Sequence, residues 1–222
     1  SLSYIFDMGT DHIRELGLAV SYLEYLGTDK YTSEQLKTEF YKLGLSFGVN
    51  PGRDRVTVSL SGLEENLEKG VELLEHILAN VKPDTEVYQA MVADLMQQRI
   101  NAKKNKGAIL NSGLVSYAKY GAKNPFNNTF TQAELEKMDA AKLTDLLKSL
   151  TGYKHRIFYY GSRSSQQVVE VCTPLHALKS ALKDYPAATK YEELPLNKTQ
   201  VYVCYYPMKQ AEIVMLSKDV KF

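Results

Sequence analysis

Hydrophobic residues recur every three or four positions through much of the chain, the spacing of helices that bury one side. The first stripe consists of Ile13, Leu16, Val20, Leu23 and Leu26. Asp11 precedes this stripe as a predicted helix cap, and Gly27 stands at its expected end. Equivalent stripes predict further helices at about residues 32–42, 61–82, 85–104, 108–120, 140–150 and 166–182, and a helical turn opens at 131.

Two capping boxes and one proline refine three of these predictions. Thr32 with Gln35, and Ser61 with Glu64, have the spacing of capping boxes that open a helix. Pro174 is expected to break the helix at 166–182 near its middle, because proline removes a backbone donor and clashes with the preceding turn.

Strict alternation replaces the helical spacing in the segment 56–61. Val56, Val58 and Leu60 alternate there with Thr57, Ser59 and Ser61. One buried and one wet face is typical of a strand in an antiparallel sheet. The sequence therefore predicts a hairpin of residues 44–49 and 55–62. Other predicted strands are residues 4–8, 153–161, 200–206 and 211–216.

This order of elements predicts an α+β fold with an antiparallel or mixed sheet and helices layered on one face. Charged residues and two prolines, Pro186 and Pro195, mark residues 183–199 as a linker. We therefore expect a main domain over residues 1–185, followed by a linker and the first strands of another subdomain over residues 186–222.

Composition narrows the classes of function. The chain has 222 residues, 44% of them hydrophobic and 24% charged, as in ordinary globular proteins. A net charge of +1 gives no electrostatic reason to bind nucleic acid. No apolar run reaches the roughly 20 residues needed to span a bilayer. Residues 1–6 lack the features of a signal peptide, and with no initiator Met we expect an excised piece of a longer protein.

Potential metal ligands are few. Cys172 and Cys204 are the only cysteines, and the sequence leaves open whether they pair or stay as small apolar residues. His12 and Glu15 form His-x-x-Glu on a predicted helix, but no second histidine lies one turn away. The remaining histidines stand alone and are interpreted as surface or structural residues; they are His76, His155 and His176.

Several segments together resemble one enzyme family. Residues 17–28, GLAVSYLEYLGT, resemble the segment of insulinase-like (pitrilysin-type) peptidases that carries an inverted zinc motif and ends in Gly-Thr. Residues 31–36 and 43–48 are similar to the next helix and first hairpin strand of that family. Residues 156–161 and 210–213 are similar to its strand ending in Gly and to the opening of its second subdomain.

The resemblance implies that the zinc motif, His-x-x-Glu-His, is lost here. Counting back from Thr28 places Leu18 at the first His, Ser21 at the Glu and Tyr22 at the second His. Leu has no ligand atom, Ser is no general base at neutral pH, and a Tyr hydroxyl is a poor zinc ligand. The nearest residues to the family's third ligand, a Glu, are Asp94, Gln97 and Gln98. We therefore predict no catalytic, metal or cofactor site in this chain.

Such peptidases consist of two similar halves, of which one binds zinc. The resemblance implies a non-catalytic lobe that forms part of the wall of a peptide-enclosing chamber and contacts the zinc-bearing half, on the same or a paired chain. Zinc is then expected only in that catalytic half, and a peptide is the expected substrate. The alternatives are a scaffold subunit of the same fold without proteolysis, and an unrelated α+β binding module. The compartment is not readable from the residues, and a bacterial periplasm or cell envelope is the expectation.

Overall fold

The computed structural model describes residues 1–176, 178 and 181–218. Its centre is a four-stranded sheet in the order β2-β3-β1-β4, with every neighbouring pair antiparallel. The strands are β1 (Leu2–Phe6), β2 (Leu45–Pro51), β3 (Val56–Gly62) and β4 (Arg156–Tyr159). The predicted hairpin is confirmed as β2 and β3, which are joined by a short turn.

Alternation gives this sheet one apolar face. In β1 and β3 every second side chain is buried, namely Leu2, Tyr4, Phe6, Val56, Val58 and Leu60. Ser3 and Ser59, between these positions, stay partly exposed. The register pairs Tyr4 with Val58 on one side and with Ile157 on the other, which makes Tyr4 the centre of the apolar face.

The described residues form the helices α1 (Leu16–Leu23), α2 (Ser33–Lys42), α3 (Leu67–Asn80), α4 (Thr85–Ala102), α5 (Val115–Tyr120), α6 (Gln132–Glu136), α7 (Ala140–Ser149) and α8 (Ser165–Leu175). α1 and α2 pack against β2, α3 packs against β3, and α7 packs against α1. The α+β class and the antiparallel sheet are therefore confirmed. Among the described residues, no helix combines the length and apolarity needed to cross a membrane.

The first predicted helix is shorter than its hydrophobic stripe. The amides of His12 and Ile13 both donate to the Gly9 carbonyl, which makes a tight turn where the Asp11 cap was predicted. Asp11 instead forms an ion pair with Arg53 at 2.8 Å. The helix α1 begins at Leu16, so the prediction of an Asp11 cap is wrong.

Capping chemistry is confirmed at α2, where the Gln35 amide donates to Thr32 Oγ1 and the Thr32 amide donates to Gln35 Oε1. At α8, Pro174 lies in the last turn, and the helix ends one residue later at Leu175. The helix predicted over 166–182 therefore stops near its middle at Pro174, as predicted, and the described residues 178, 181 and 182 are not helical. Of its predicted extension to 182, residues 177, 179 and 180 lie outside the described residues.

Other helix predictions shift or divide. The helix predicted at 108–120 is a π-helical turn over Ala108–Leu114 followed by α5. Short 3₁₀ turns occupy Glu64–Asn66, Pro125–Asn127 and Leu150–Gly152. The first of these replaces the helix start predicted from the Ser61–Glu64 capping box.

Glu64 does not cap α3; it binds the chain that follows β4. Its carboxylate accepts hydrogen bonds from Ser162 Oγ at 2.6 Å, from the Arg163 amide at 3.0 Å and from the Tyr159 hydroxyl. The hydrogen bonds from Ser162 and Tyr159 hold the pKa of Glu64 at about 2. Glu64 therefore does not form the predicted local cap, because its carboxylate binds residues almost one hundred positions further along the chain.

This carboxylate predicts a specific acid sensitivity. A folded-state pKa below the unfolded value stabilises the fold above the unfolded pKa of 4.5, and that stability disappears as the pH falls toward about 2. In Glu64→Gln we expect a shallower fall in the free energy of unfolding across this window, measured by urea titration at several pH values. Glu65→Gln removes an exposed neighbouring carboxylate and serves as the control. Equal slopes in wild type and Glu64→Gln would contradict the assignment.

The C-terminal strands predicted at 200–206 and 211–216 are absent from the structure as described through residue 218. Val201, Val203 and Tyr205 are 82%, 85% and 87% exposed, respectively. The alternation is present, but a strand forms only against a partner that accepts its backbone hydrogen bonds. No described segment pairs with these residues, so the two strand predictions are wrong for this structure.

The chain divides into two compact units. The first comprises Ser1–Ala90 and Lys137–Thr189, and the second comprises Met91–Glu136 and Lys190–Phe222. The first unit contains the whole sheet. The predicted boundary between residues 185 and 186 stays a prediction.

Candidate functional site

The three positions that the sequence resemblance assigns to the inverted zinc motif lie on α1. Tyr22 is fully buried, and its hydroxyl donates to the Asp84 carbonyl at 2.5 Å and accepts from the Asp84 amide at 2.9 Å. Burial raises the pKa of Tyr22. Both hydrogen-bonding roles of this hydroxyl are thus taken by backbone just before α4, so Tyr22 acts as a structural link. Leu18 and Ser21 are partly exposed on the same helix.

The buried side of α1 is packed with apolar groups. It consists of Leu16, Ala19, Val20, Tyr22 and Leu23. The ring of Tyr88 meets the Tyr22 ring edge-on, with 5.7 Å between their centroids. The facing helix α7 contributes Leu143 and Leu147, both fully buried. The buried side of α1 is therefore part of the close-packed apolar core.

The candidates for a third ligand are exposed on α4. They are Asp94, Gln97 and Gln98. Gln97 donates to Asn101 Oδ1 at 3.2 Å, one turn further along the same helix. Among the described residues, no three His, Cys, Asp or Glu side chains are placed to hold a metal ion together. The loss of the zinc site itself stays a prediction.

His12 and His76 have local structural contacts. His12 Nδ1 accepts from the Gly9 amide at 3.2 Å, within the turn before α1. His76 Nε2 lies 2.9 Å from Thr28 Oγ1. These contacts agree with the structural interpretation of both histidines.

The other two histidines form a buried hydrogen-bonded chain that sequence reasoning missed. Tyr4 donates to Glu75 Oε1 at 2.6 Å, and His176 Nδ1 lies 2.6 Å from the same oxygen. His176 Nε2 lies 2.7 Å from His155 Nε2, and His155 Nδ1 lies 2.6 Å from the Tyr153 carbonyl oxygen. We call Tyr4, Glu75, His176 and His155 the histidine network. It joins β1, α3, the segment before β4 and the end of α8.

The hydrogen-bond acceptors of the histidine network determine how many protons its side chains carry. The Tyr153 carbonyl carries no proton, so His155 Nδ1 must donate to it, and one further proton must lie between the two Nε2 atoms. One proton likewise lies between His176 Nδ1 and Glu75. The network therefore holds one proton more than two neutral imidazoles beside a carboxylate, which corresponds to an imidazolium paired with a carboxylate.

Burial shifts the pKa values of His155 and Tyr4 in opposite directions. Desolvation lowers the pKa of His155, and the nearby His176 lowers it further against the opposing effect of the Tyr153 carbonyl. Burial and the Glu75 charge raise the pKa of Tyr4, which therefore keeps its proton. The His176 side chain is 8% exposed, and its Nδ1 lies 2.6 Å from Glu75 Oε1.

A cavity of about 810 Å³ adjoins the network between β4 and α8. Its walls include Ile157, Tyr159, Val168, Cys172 and His176. Burial, and after it the Glu75 charge, raises the pKa of the Cys172 thiol, so this thiol is poorly suited to nucleophilic chemistry. Both Cys172 and Cys204 are free thiols. The cavity has the size and largely apolar lining of a small binding groove.

No local signal could have revealed the network. His155 and His176 are 21 positions apart, and Glu75 lies 101 positions from His176. Neither spacing belongs to one helix face or one strand, because only the sheet and the packing of α8 on α3 bring the residues together.

The fold formed by this sheet and its helices is also found in solved protease structures. No protein-family model matches the sequence, and a search of curated proteins finds no match. The likeness comes from solved structures. The periplasmic protease PqqL from Escherichia coli matches with a TM-score of 0.69 and 12% identity, covering 87% of this chain and 22% of that chain.

Two further solved structures extend the comparison. A mutant of the ferredoxin protease FusC in complex with Arabidopsis ferredoxin has a TM-score of 0.69 and 16% identity, covering 87% of this chain and 22% of FusC. A peptidase M16 inactive domain from Pseudomonas fluorescens has a TM-score of 0.66 and 18% identity, covering 86% of this chain and 47% of that domain. The chain thus spans about a fifth of the two proteases and about half of the inactive domain. At these identities the likeness establishes the M16-like fold.

Proposed function

We propose that this chain is a non-catalytic lobe of a zinc-dependent peptidase. The observation that carries the proposal is Tyr22, which stands where the motif requires its second histidine and is buried with its hydroxyl bonded to Asp84. An M16-like fold whose motif helix is packed in this way has the architecture of a peptidase lobe without ligands for the metal. The likeness to a peptidase M16 inactive domain supports the same reading.

In this proposal the lobe forms part of the wall of a chamber that encloses a peptide, and it contacts the zinc-bearing half. Zinc and the general base belong to that other half, on the same or a paired polypeptide. A polypeptide substrate agrees with the FusC structure, which contains a ferredoxin. A periplasmic location agrees with PqqL, which is a periplasmic protease.

The full reading frame that contains this chain is the material for the test. We expect the purified product to hold one zinc per catalytic half and to cleave unfolded peptides in a chelator-sensitive way. Deleting the region that corresponds to residues 1–222 should abolish cleavage while zinc stays bound, because the wall is lost and the metal site is not. A full-length protein without zinc or peptidase activity would overturn the proposal and favour the scaffold subunit.

A further inference from the structure

The histidine network ends at two groups whose hydrogen-bonding roles are fixed, one an acceptor and the other a donor. The Tyr153 carbonyl only accepts, and Tyr4, with its raised pKa, keeps its proton. Between these ends the two Nε2 atoms, 2.7 Å apart, accommodate one proton. A second proton would place two N–H groups face to face, and removal of the proton would leave two lone pairs facing each other. Both changes break the link between the imidazole rings.

We propose that the histidine network is a proton-controlled clasp that holds the end of α8 on the sheet while one proton is shared between His155 and His176. The elements packed around the clasp carry these titratable groups: Tyr4 on β1, Glu75 on α3, His155 before β4, and Cys172 and His176 at the end of α8. Cys172 and Tyr4 stay protonated, so Glu75 and the two imidazoles set its charge.

The clasp also involves the backbone at the end of α8. His176 is the capping residue of α8, and its backbone amide donates to the Cys172 carbonyl at 2.7 Å. Its ring also packs on Tyr4 with 4.9 Å between centroids and lines the cavity beside β4. Opening the clasp therefore frees the last turn of α8 and changes one wall of that cavity.

Proton counting gives the pH response. The closed clasp holds one imidazole proton beyond two neutral rings, whereas two solvated histidines hold on average one such proton at about pH 6.5. The equilibrium constant for opening is therefore smallest near about pH 6.5. The opening constant rises at lower and at higher pH, because opening takes up a proton in acid and releases one in base. Far from the minimum, it changes by about tenfold per pH unit.

His155→Gln separates the two sides of this response. A Gln oxygen at the Nε2 position still accepts from His176 but cannot take up a proton. We expect the acid rise in opening to disappear and the alkaline rise to remain. His12→Gln, which removes a histidine outside the network, serves as the control and should keep both.

The experiment uses the full 222-residue chain labelled with ¹⁵N at histidine and backbone. Hydrogen exchange of the His176 amide, corrected for its intrinsic pH dependence, reports opening between about pH 5 and 8, around the ordinary histidine pKa. In wild type, a ¹⁵N–¹⁵N coupling across the hydrogen bond between the two rings should appear near the middle of that range and vanish at its ends. A minimum in exchange together with this coupling supports the clasp. Exchange independent of pH, absence of the coupling, or an unchanged acid rise in His155→Gln would each overturn it.

Discussion

Replacing Tyr22 by His is expected to lower the free energy of unfolding by about 3 kcal/mol and to create no zinc site. The Tyr22 hydroxyl satisfies both the amide and the carbonyl of Asp84, while its ring packs against Tyr88. An imidazole is shorter and cannot serve both backbone groups, so at least one of them is left without a partner. Urea unfolding with and without added zinc measures the effect.

Tyr22→Phe is the matched control, because it removes only the hydroxyl and keeps the ring. Its cost should be about 1–3 kcal/mol, the penalty for leaving buried backbone groups unsatisfied. If Tyr22→His were as stable as wild type, or if zinc restored its stability, α1 would retain the capacity of a metal-binding helix. The structural role assigned to Tyr22 would then be wrong.

Leu143→Ala is expected to lower the free energy of unfolding by about 2–5 kcal/mol. Leu143 is fully buried on α7, the helix that packs against α1. Truncation removes transfer energy and leaves a cavity at the helix pair that supports the motif positions. Thermal or urea unfolding of the full chain measures the loss.

Leu146→Ala, one turn along on α7, provides the comparison. Leu146 is only partly buried, so its truncation should cost clearly less than that of Leu143. Equal costs at the two positions would show that α7 does not bury the face assigned to it. The packing that closes this side of α1 would then need another explanation.

The parts of the fold that the sequence predicts best are those decided by neighbouring residues. The alternation from Val56 to Leu60 is enough to define a strand with one buried face, and it pairs as expected with β2. Thr32 caps α2 because its hydroxyl and its Gln partner lie within one turn. In both cases the stabilising contacts are local.

Prediction failed where contacts between distant segments decide which structure forms. Glu64 has the spacing of a capping residue, yet its carboxylate binds the amides of Ser162 and Arg163 after β4. Val201 and Val203 have the alternation of a strand, yet no described segment pairs with them. The local sequence pattern sets a segment's preference for helix or strand. The rest of the fold determines whether a second segment is present to form its hydrogen bonds.

In the candidate site, too, local features were predictable and contacts between distant residues were not. Resemblance along residues 17–28 located Leu18, Ser21 and Tyr22 on one helix, and the structure places all three on α1. The bond from Tyr22 to Asp84 was not predictable, because the two residues are 62 positions apart. The pairing of His155 with His176 was equally hidden, since each residue looked isolated in its own segment.

Zinc analysis of the purified 222-residue chain is the most direct test of the central claim, that α1 is packed and cannot bind the catalytic metal. The chain is incubated with excess zinc, dialysed, and its metal content measured together with peptide cleavage. We expect essentially no bound zinc and no chelator-sensitive cleavage. One tightly bound zinc per chain, lost when Tyr22 is replaced by Phe, would contradict the account.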